Sequence, residues 1–143
     1  MLVLYRKSKQ SNFLSLGIGQ GRITDNLGTF VNELSGAFTV PDEKSIEMVY
    51  ELLDTEGLYL GASSALNVVA AVELAQRLGK GTRYVASKAT IMIPIPLAGS
   101  RIATVLCDGA YRYQSRLFSK KWIVSKGLEN AIPEHLKKYS VLE

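Results

Sequence analysis

Cysteine, histidine and proline are scarce in this sequence, which has one, one and four of them among 143 residues. A single cysteine excludes an intrachain disulfide framework and any zinc site built on several thiolates, so we expect a reducing compartment. No apolar run reaches the roughly 18 residues that a membrane helix needs, since the longest, 89–98, contains two prolines. We therefore predict a cytoplasmic protein without a membrane partner. A mitochondrial leader is the alternative, because no acidic residue precedes Asp25.

Acidic and basic residues are unevenly distributed along the chain, although the net charge is only +4. Acidic residues concentrate between positions 25 and 78, and basic residues lie on either side of that segment. The lysines and arginines are dispersed among apolar residues instead of forming one stripe with aromatic neighbours. We therefore expect solvated helix faces and no nucleic-acid partner.

Two segments carry the periodicity of amphipathic helices. Residues 42–56 place apolar side chains at helical spacing after Pro41, and Gly57 can adopt the left-handed conformation that ends a helix. Residues 64–78 form a second predicted helix, for which Ser64 is a plausible N-cap.

Three short β-branched or apolar runs read as strands between and around these helices: residues 37–40, 58–60 and 102–107. Strands that alternate with helices predict an α/β fold with a parallel sheet. Residues 83–100 do not fit this order, because a helix-to-strand connection usually takes about two to six residues. That segment is interpreted as an insertion.

A glycine-rich stretch lies at Gly17–Ile18–Gly19–Gln20–Gly21. Its third glycine comes one position too early for the dinucleotide fingerprint, and no convincing strand precedes it, so a Rossmann site is excluded. Two readings stay open: a tight surface turn, or a backbone that a flat ring can approach closely.

A second small-residue stretch, Gly61–Ala62–Ser63–Ser64, precedes the second predicted helix. Free backbone N–H groups there would attract an anion, although ordinary helix capping explains the residues as well. The order Ser63, Asp108, His135 also matches a hydrolase triad. That alternative is unfavoured, because Ala65 replaces the glycine of a nucleophile elbow and His135 lies in a polar tail.

The last predicted strand runs into Cys107, Asp108 and Gly109, at the edge of a parallel sheet where ligands collect. Cys107 is interpreted as a small buried residue, because no histidine is near it in the sequence. Asp108 is the better candidate for orienting a cofactor, and an Asp-Gly turn is the alternative.

Taken in order, these pieces resemble the C-terminal part of the cysteine synthase (O-acetylserine sulfhydrylase) and cystathionine β-synthase family, whose members depend on pyridoxal 5'-phosphate. The resemblance covers GIGQGRITDNL at 17–27, the long run from AFTVPDEKS to AQRLG at 37–79, and IATVLCDGAYRYQSRLF at 102–118. Residues 1–16 stay unmatched, and residues 17–143 correspond to the family with the insertion at 83–100.

The resemblance implies a partial, truncated parallel sheet of the tryptophan-synthase-β type (pyridoxal-phosphate fold type II). It also implies an amino-acid substrate, a homodimeric parent enzyme and β-replacement on O-acetylserine to give L-cysteine. Gly17 and Gly19 would lie beside the cofactor ring. Gly109 matches the position of the serine that faces the pyridine nitrogen in the family, so Asp108 becomes the nearest side chain able to serve there.

The Schiff-base lysine, the loop that binds the substrate carboxylate and the loop that holds the phosphate belong to the family's N-terminal two-thirds. No segment of this chain matches them, so we assign no catalytic residue and no metal ligand. The chain is expected to be inactive alone. A non-catalytic association module derived from the same fold is the alternative, since a sheet cut from a larger domain exposes apolar edges.

Overall fold

The structure, a computed structural model, describes residues 2–7, 25–78, 83–85 and 101–143. Gly17, Gly19 and most of the expected insertion at 83–100 lie outside these residues. The described strands are β1 (Leu2–Lys7), β2 (Leu34–Val40), β3 (Arg83–Val85) and β4 (Arg101–Ala103).

These strands form two parallel pairs, as expected for an α/β fold. Strand β1 pairs with β2 so that Val3 lies beside Gly36 and Lys7 beside Val40. Strand β3 pairs with β4, with Tyr84 beside Ile102. The strand predicted at 37–40 is therefore the second half of a longer strand.

Helices dominate the rest of the described chain. The α-helices are α1 (Asp25–Gly28), α2 (Asp42–Glu56), α3 (Ala62–Leu78), α4 (Gln114–Leu117) and α5 (Lys120–Ser125). Short 3-10 helices cover Val31–Glu33, Ala110–Tyr113, Glu129–Ala131 and Glu134–Tyr139.

Helix α2 has the predicted bounds. Pro41 precedes it with extended backbone, and two acidic residues in the first turn complement the positive end of the helix dipole. Gly57 ends the helix at φ 66°, and its N–H donates to the carbonyl oxygen of Leu52.

Helix α3 begins at Ala62, two residues earlier than predicted. Ser64 is therefore not its N-cap, and that prediction was wrong. The Ser64 side chain is instead fully buried within the first turn, where its hydroxyl bonds to the backbone of Asp108. A long-range partner has replaced the local capping bond.

The prediction of a strand at 58–60 was also wrong. Only Leu60 makes a β-bridge, antiparallel, with Gly109. Two hydrogen bonds flank the bridge, from the Gly61 N–H to the Asp108 carbonyl at 3.2 Å and from the Ala110 N–H to the Tyr59 carbonyl at 3.1 Å. This short contact joins the two loops that carry the candidate site.

The strand predicted at 102–107 ends at Ala103. Beyond it, side chains and backbone of α3 replace a neighbouring strand as hydrogen-bond partners. The Asn67 amide donates to the Val105 carbonyl at 2.9 Å, and the Thr104 hydroxyl donates to the Asn67 carbonyl at 3.4 Å. A β-branched run therefore lies along a helix with irregular backbone.

The main core lies between α2, α3 and the C-terminal helices. Tyr50 of α2 is its largest fully buried side chain, and its ring packs against Phe118, which in turn packs against Tyr59. The Tyr50 hydroxyl donates to the Leu117 carbonyl at 2.6 Å. Burial raises the pKa of Tyr50 to about 12, so the phenol stays neutral.

The C-terminal segment is fastened to α2 and to α5. Asp54 near the end of α2 accepts bonds from the Lys138 ammonium at 2.8 Å and the Tyr139 hydroxyl at 2.7 Å. Leu142 bridges Phe118 and Lys120 through two backbone hydrogen bonds of 3.0 and 2.9 Å. These contacts hold the last 3-10 helix against the core.

Helices of the described ranges are too short or too polar to cross a bilayer.

Replacing Tyr50 by Phe should destabilise the fold by about 1–3 kcal/mol, because the buried bond to Leu117 is lost while the ring stays. Urea denaturation followed by circular dichroism measures the effect. Tyr111→Phe is the matched control, since that side chain is 75% exposed. Equal midpoints for Tyr50→Phe and wild type would show that the bond adds nothing to stability.

Stability should fall in acid partly through Asp54. Hydrogen bonds from Lys138 and Tyr139 lower the pKa of the Asp54 carboxyl below its usual 3.8, so its stabilising effect is present above that value. The effect is lost as the pH falls through the lower folded-state pKa. Denaturation midpoints of Asp54→Asn should therefore depend less on pH in this range than those of wild type. The Glu56→Gln control, on the same helix, should keep the wild-type dependence.

Candidate functional site

Asp108 is the centre of the candidate site. It follows β4 and the irregular residues 104–107, at the point where the chain turns into the 3-10 helix Ala110–Tyr113. One carboxylate oxygen accepts a hydrogen bond from the Ser63 hydroxyl at 3.2 Å. The other accepts from the Tyr113 hydroxyl at 2.8 Å. Two neutral donors thus fix the orientation of one half-buried carboxylate.

The backbone of Asp108 is held separately, by Ser64. The Ser64 hydroxyl donates to the Asp108 carbonyl at 2.9 Å, and the Asp108 N–H donates to the Ser64 oxygen at 3.2 Å. A hydroxyl has one proton to give and lone pairs to accept, so one side chain satisfies both backbone groups. The first turn of α3 therefore positions Asp108 twice, through Ser64 and through Ser63.

Gly61 makes this close approach possible. A β-carbon at position 61 would collide with a carboxylate oxygen of Asp108 and would lie 3.3 Å from a ring carbon of Tyr113. No side chain can be added there unless the carboxylate moves. The glycine before α3 is thus required for steric reasons at the site, and not by its backbone angles.

Tyr113 is sensitive to the charge of its partner. The hydrogen bond to Asp108, assisted by the negative charge of the carboxylate, raises the pKa of the Tyr113 phenol above its usual 10.0. The positive charges of Arg112 and Arg116 partly oppose this shift. At neutral pH the phenol is therefore a hydrogen-bond donor to the carboxylate.

Gly109 lies beneath an aromatic ring. A β-carbon there would come within 3.2 Å of the Tyr111 ring and 3.5 Å of the Tyr59 carbonyl oxygen. The Tyr111 ring is 75% exposed and meets Tyr59 edge-on, with ring centroids 5.2 Å apart. A serine at position 109, as the resemblance expects, would require this tyrosine to shift.

Cys107 is exposed, so its interpretation as a small buried residue was wrong. The Asn67 amide that holds Val105 also lies 3.4 Å from the cysteine sulfur. Cys107 is therefore an exposed thiol whose sulfur lies beside α3.

The three residues of the hydrolase alternative are placed differently. Ser63 and Asp108 are in direct contact, as described above. His135 is exposed on the 3-10 helix Glu134–Tyr139 and interacts electrostatically with Glu51 and Asp54 of α2.

Among the described residues, no group of three or more His, Cys, Asp or Glu side chains is placed to hold a metal ion.

Sequence reasoning missed the roles of Tyr113, Asn67 and Gly61. Tyr113 follows Asp108 by five residues across one 3-10 turn, and this spacing is the only local signal of their contact. Asn67 and Gly61 act across more than 35 positions of the chain, so only the folded arrangement reveals them. Gly17 and Gly19 lie outside the described residues.

No protein-family model matches the chain. Its sequence is 55% identical to cysteine synthase 1 of Emericella nidulans over 134 residues, which is 94% of this chain and 31% of that protein. Cysteine synthase 1 of Neurospora crassa is 54% identical over the same share. A cysteine synthase of Dictyostelium discoideum is 40% identical over 75% of the chain and 23% of that protein.

A solved structure resembles the fold: the O-acetylserine-dependent cystathionine β-synthase of Helicobacter pylori, with a TM-score of 0.58 and 25% sequence identity. The match covers 80% of this chain and 33% of that one. The fold is thus a partial α/β fold of pyridoxal-phosphate fold type II. The chain spans about a third of the length of the curated fungal relatives that it matches. The chain belongs to the cysteine synthase and cystathionine β-synthase family.

Proposed function

We propose that this chain is a C-terminal part of a pyridoxal-phosphate-dependent cysteine synthase, which replaces the acetoxy group of O-acetylserine by sulfide, releasing acetate and giving L-cysteine. The main support is the 55% identity to a fungal cysteine synthase over 94% of the chain. The parent enzyme is proposed to be a homodimer with an amino-acid substrate, in the cytoplasm. A putative mitochondrial cysteine synthase of Saccharomyces cerevisiae, 28% identical, keeps the mitochondrial alternative open.

The hydrogen bonds around Asp108 support a contact with one edge of the cofactor. An ionised carboxylate has about four acceptor positions, and Ser63 and Tyr113 use two of them. A third donor, such as a protonated pyridine nitrogen, can therefore be accepted. When bound, pyridoxal 5'-phosphate supplies an electron-withdrawing ring next to the reacting carbon.

Asp108 is proposed to accept a hydrogen bond from that ring nitrogen, because Gly109 offers no hydroxyl. A carboxylate keeps a proton on the nitrogen more firmly than a neutral hydroxyl does. Ser63 and Tyr113 are then positioning residues that hold the carboxylate in one orientation. Gly61 leaves the space in which that carboxylate lies. Gly17 and Gly19 remain proposed neighbours of the ring face.

The 143-residue chain alone is proposed to be inactive. No lysine in it matches the context of the family's Schiff-base lysine, and the segments that bind phosphate and substrate carboxylate in the family have no match here. Asp108 and its partners would form one wall of a site whose covalent anchor belongs to another part of the parent protein.

Replacing Asp108 by Asn should lower the pKa of Tyr113 toward 10.0, because the phenol loses its anionic acceptor. NMR of protein labelled at the tyrosine ζ carbon, assigned with Tyr113→Phe, measures the titration. Ser63→Ala keeps the charge of Asp108 and should leave the phenol above its usual pKa. An unchanged Tyr113 titration in Asp108→Asn would show that the two side chains do not interact in solution.

A chimera tests the proposed function. The third of Emericella nidulans cysteine synthase 1 that matches this chain is replaced by this chain, and cysteine formation from O-acetylserine and sulfide is measured. The chimera should be active, and Asp108→Asn in it should lower kcat/KM about tenfold or more, the loss of one charge-assisted hydrogen bond.

The Glu56→Gln chimera is the matched control and should retain full activity. The isolated chain, mixed with pyridoxal 5'-phosphate and treated with borohydride, should acquire no stoichiometric label on one particular lysine and form no cysteine. A soluble chimera that binds the cofactor but makes no cysteine would overturn the proposed function. A chimera that is unaffected by Asp108→Asn would overturn the role of Asp108 alone.

A further inference from the structure

Asn67 is the one polar residue in an apolar stretch of α3, residues 65–72. Asparagine forms helix interiors less readily than alanine does, because its amide competes for backbone hydrogen bonds. A half-buried asparagine in the middle of such a stretch indicates that its amide has a specific partner elsewhere.

The Asn67 side chain contacts two residues of the segment 104–108. Its amide donates to the Val105 carbonyl at 2.9 Å and lies 3.4 Å from the Cys107 sulfur. A carboxamide carries two N–H donors, so one side chain can serve both partners. Cys107 directly precedes Asp108, so this contact lies next to the candidate site.

The Asn67 backbone holds the same segment at its start. Thr104 is only 2% exposed, and its hydroxyl donates to the Asn67 carbonyl at 3.4 Å. The bond gives this buried hydroxyl an acceptor, which a buried polar group needs. Asn67 thus contacts the segment 104–107 through both its backbone and its side chain.

The serines of α3 hold the other end of that segment. Asn67 follows Ser64 by three positions and Ser63 by four, so the three side chains lie on one side of the helix, about one turn apart. Ser63 and Ser64 bond Asp108. The segment 104–108 is therefore fastened to α3 at two levels, one turn from each other.

We propose that Asn67 is a positioning residue for Asp108, which keeps the Asp108 carboxylate where Ser63 and Tyr113 both reach it. A segment held at one point can pivot about that point, and a second attachment one turn away removes this freedom. Asn67 acts through Val105 and the chain that follows it, without a bond of its own to the carboxylate. The consequence for cysteine formation rests on the proposed function, whereas the placement of the carboxylate does not.

The Tyr113 titration reports this placement in the 143-residue chain. Asn67→Ala should lower the pKa of Tyr113 toward 10.0, by about half or more of the change that Asp108→Asn produces, because a displaced carboxylate raises it less. NMR of the tyrosine ζ carbon measures this change. Gln76→Ala is the matched control, since Gln76 is an exposed amide on the same helix, and it should leave the titration unchanged.

A purely structural role for Asn67 predicts a different result. It lowers the urea midpoint and leaves the Tyr113 titration of the folded protein at its wild-type position, an outcome that would overturn the proposal. Circular dichroism checks the fold of each variant. If Asn67→Ala does not fold, Asn67→Leu removes the amide while filling a similar volume, and the same titration decides.

The chimera with Emericella nidulans cysteine synthase 1 tests the consequence for the reaction. Asn67→Ala should lower kcat about threefold or more, because a misplaced carboxylate stabilises the transition state less well. KM for O-acetylserine should change less, because Asn67 is not proposed to touch the substrate. The Gln76→Ala chimera should keep both constants.

The two experiments separate the positioning role from the proposed function. An active chimera whose kcat is the same with Asn67→Ala would overturn the role of Asn67 in the reaction. A chimera that is inactive with Asn67 in place would count against the proposed function alone, and the Tyr113 titration would still decide whether Asn67 positions Asp108.

Discussion

The contact between the first turn of α3 and Asp108 is the constraint on which the candidate site depends. Ser64 satisfies both backbone groups of Asp108, and Ser63 orients its carboxylate. The Leu60–Gly109 bridge lies directly beside these bonds and joins the loop before α3 to the loop after β4. All these bonds lie within a few residues of one another. They join two chain segments that are more than 40 positions apart in the sequence, and these two segments together form the site.

Features of the fold that have local signals were predictable from the sequence, and features that depend on contacts between distant segments were not. Helix α2 was predicted in full, because its apolar spacing, its acidic first turn and Gly57 are all local signals. The strand expected at 102–107 ends at Ala103, because Asn67 of α3 becomes the hydrogen-bond partner of the next residues: its side-chain amide donates to the Val105 carbonyl, and its backbone carbonyl accepts from the Thr104 hydroxyl. β-branched residues report a preference for extended backbone, and they do not say what will lie beside it.

The candidate site also has one part that the sequence predicted and another that only the folded structure shows. Asp108 was predicted from its place at the end of a strand and from a family resemblance, and both are visible in one stretch of sequence. The contributions of Ser63 and Tyr113 to its carboxylate, and of Gly61 to the space around it, arise only when the segments meet. Ser64 illustrates the difference, because a serine at a helix start reads as a cap and here bonds to a distant loop instead.

Asp108 is bound through its backbone by one residue and through its side chain by others. The path of the loop is therefore set independently of the chemical group that the loop presents. A substitution at position 108 can therefore change the charge at the end of this loop while Ser64 continues to hold the backbone in place.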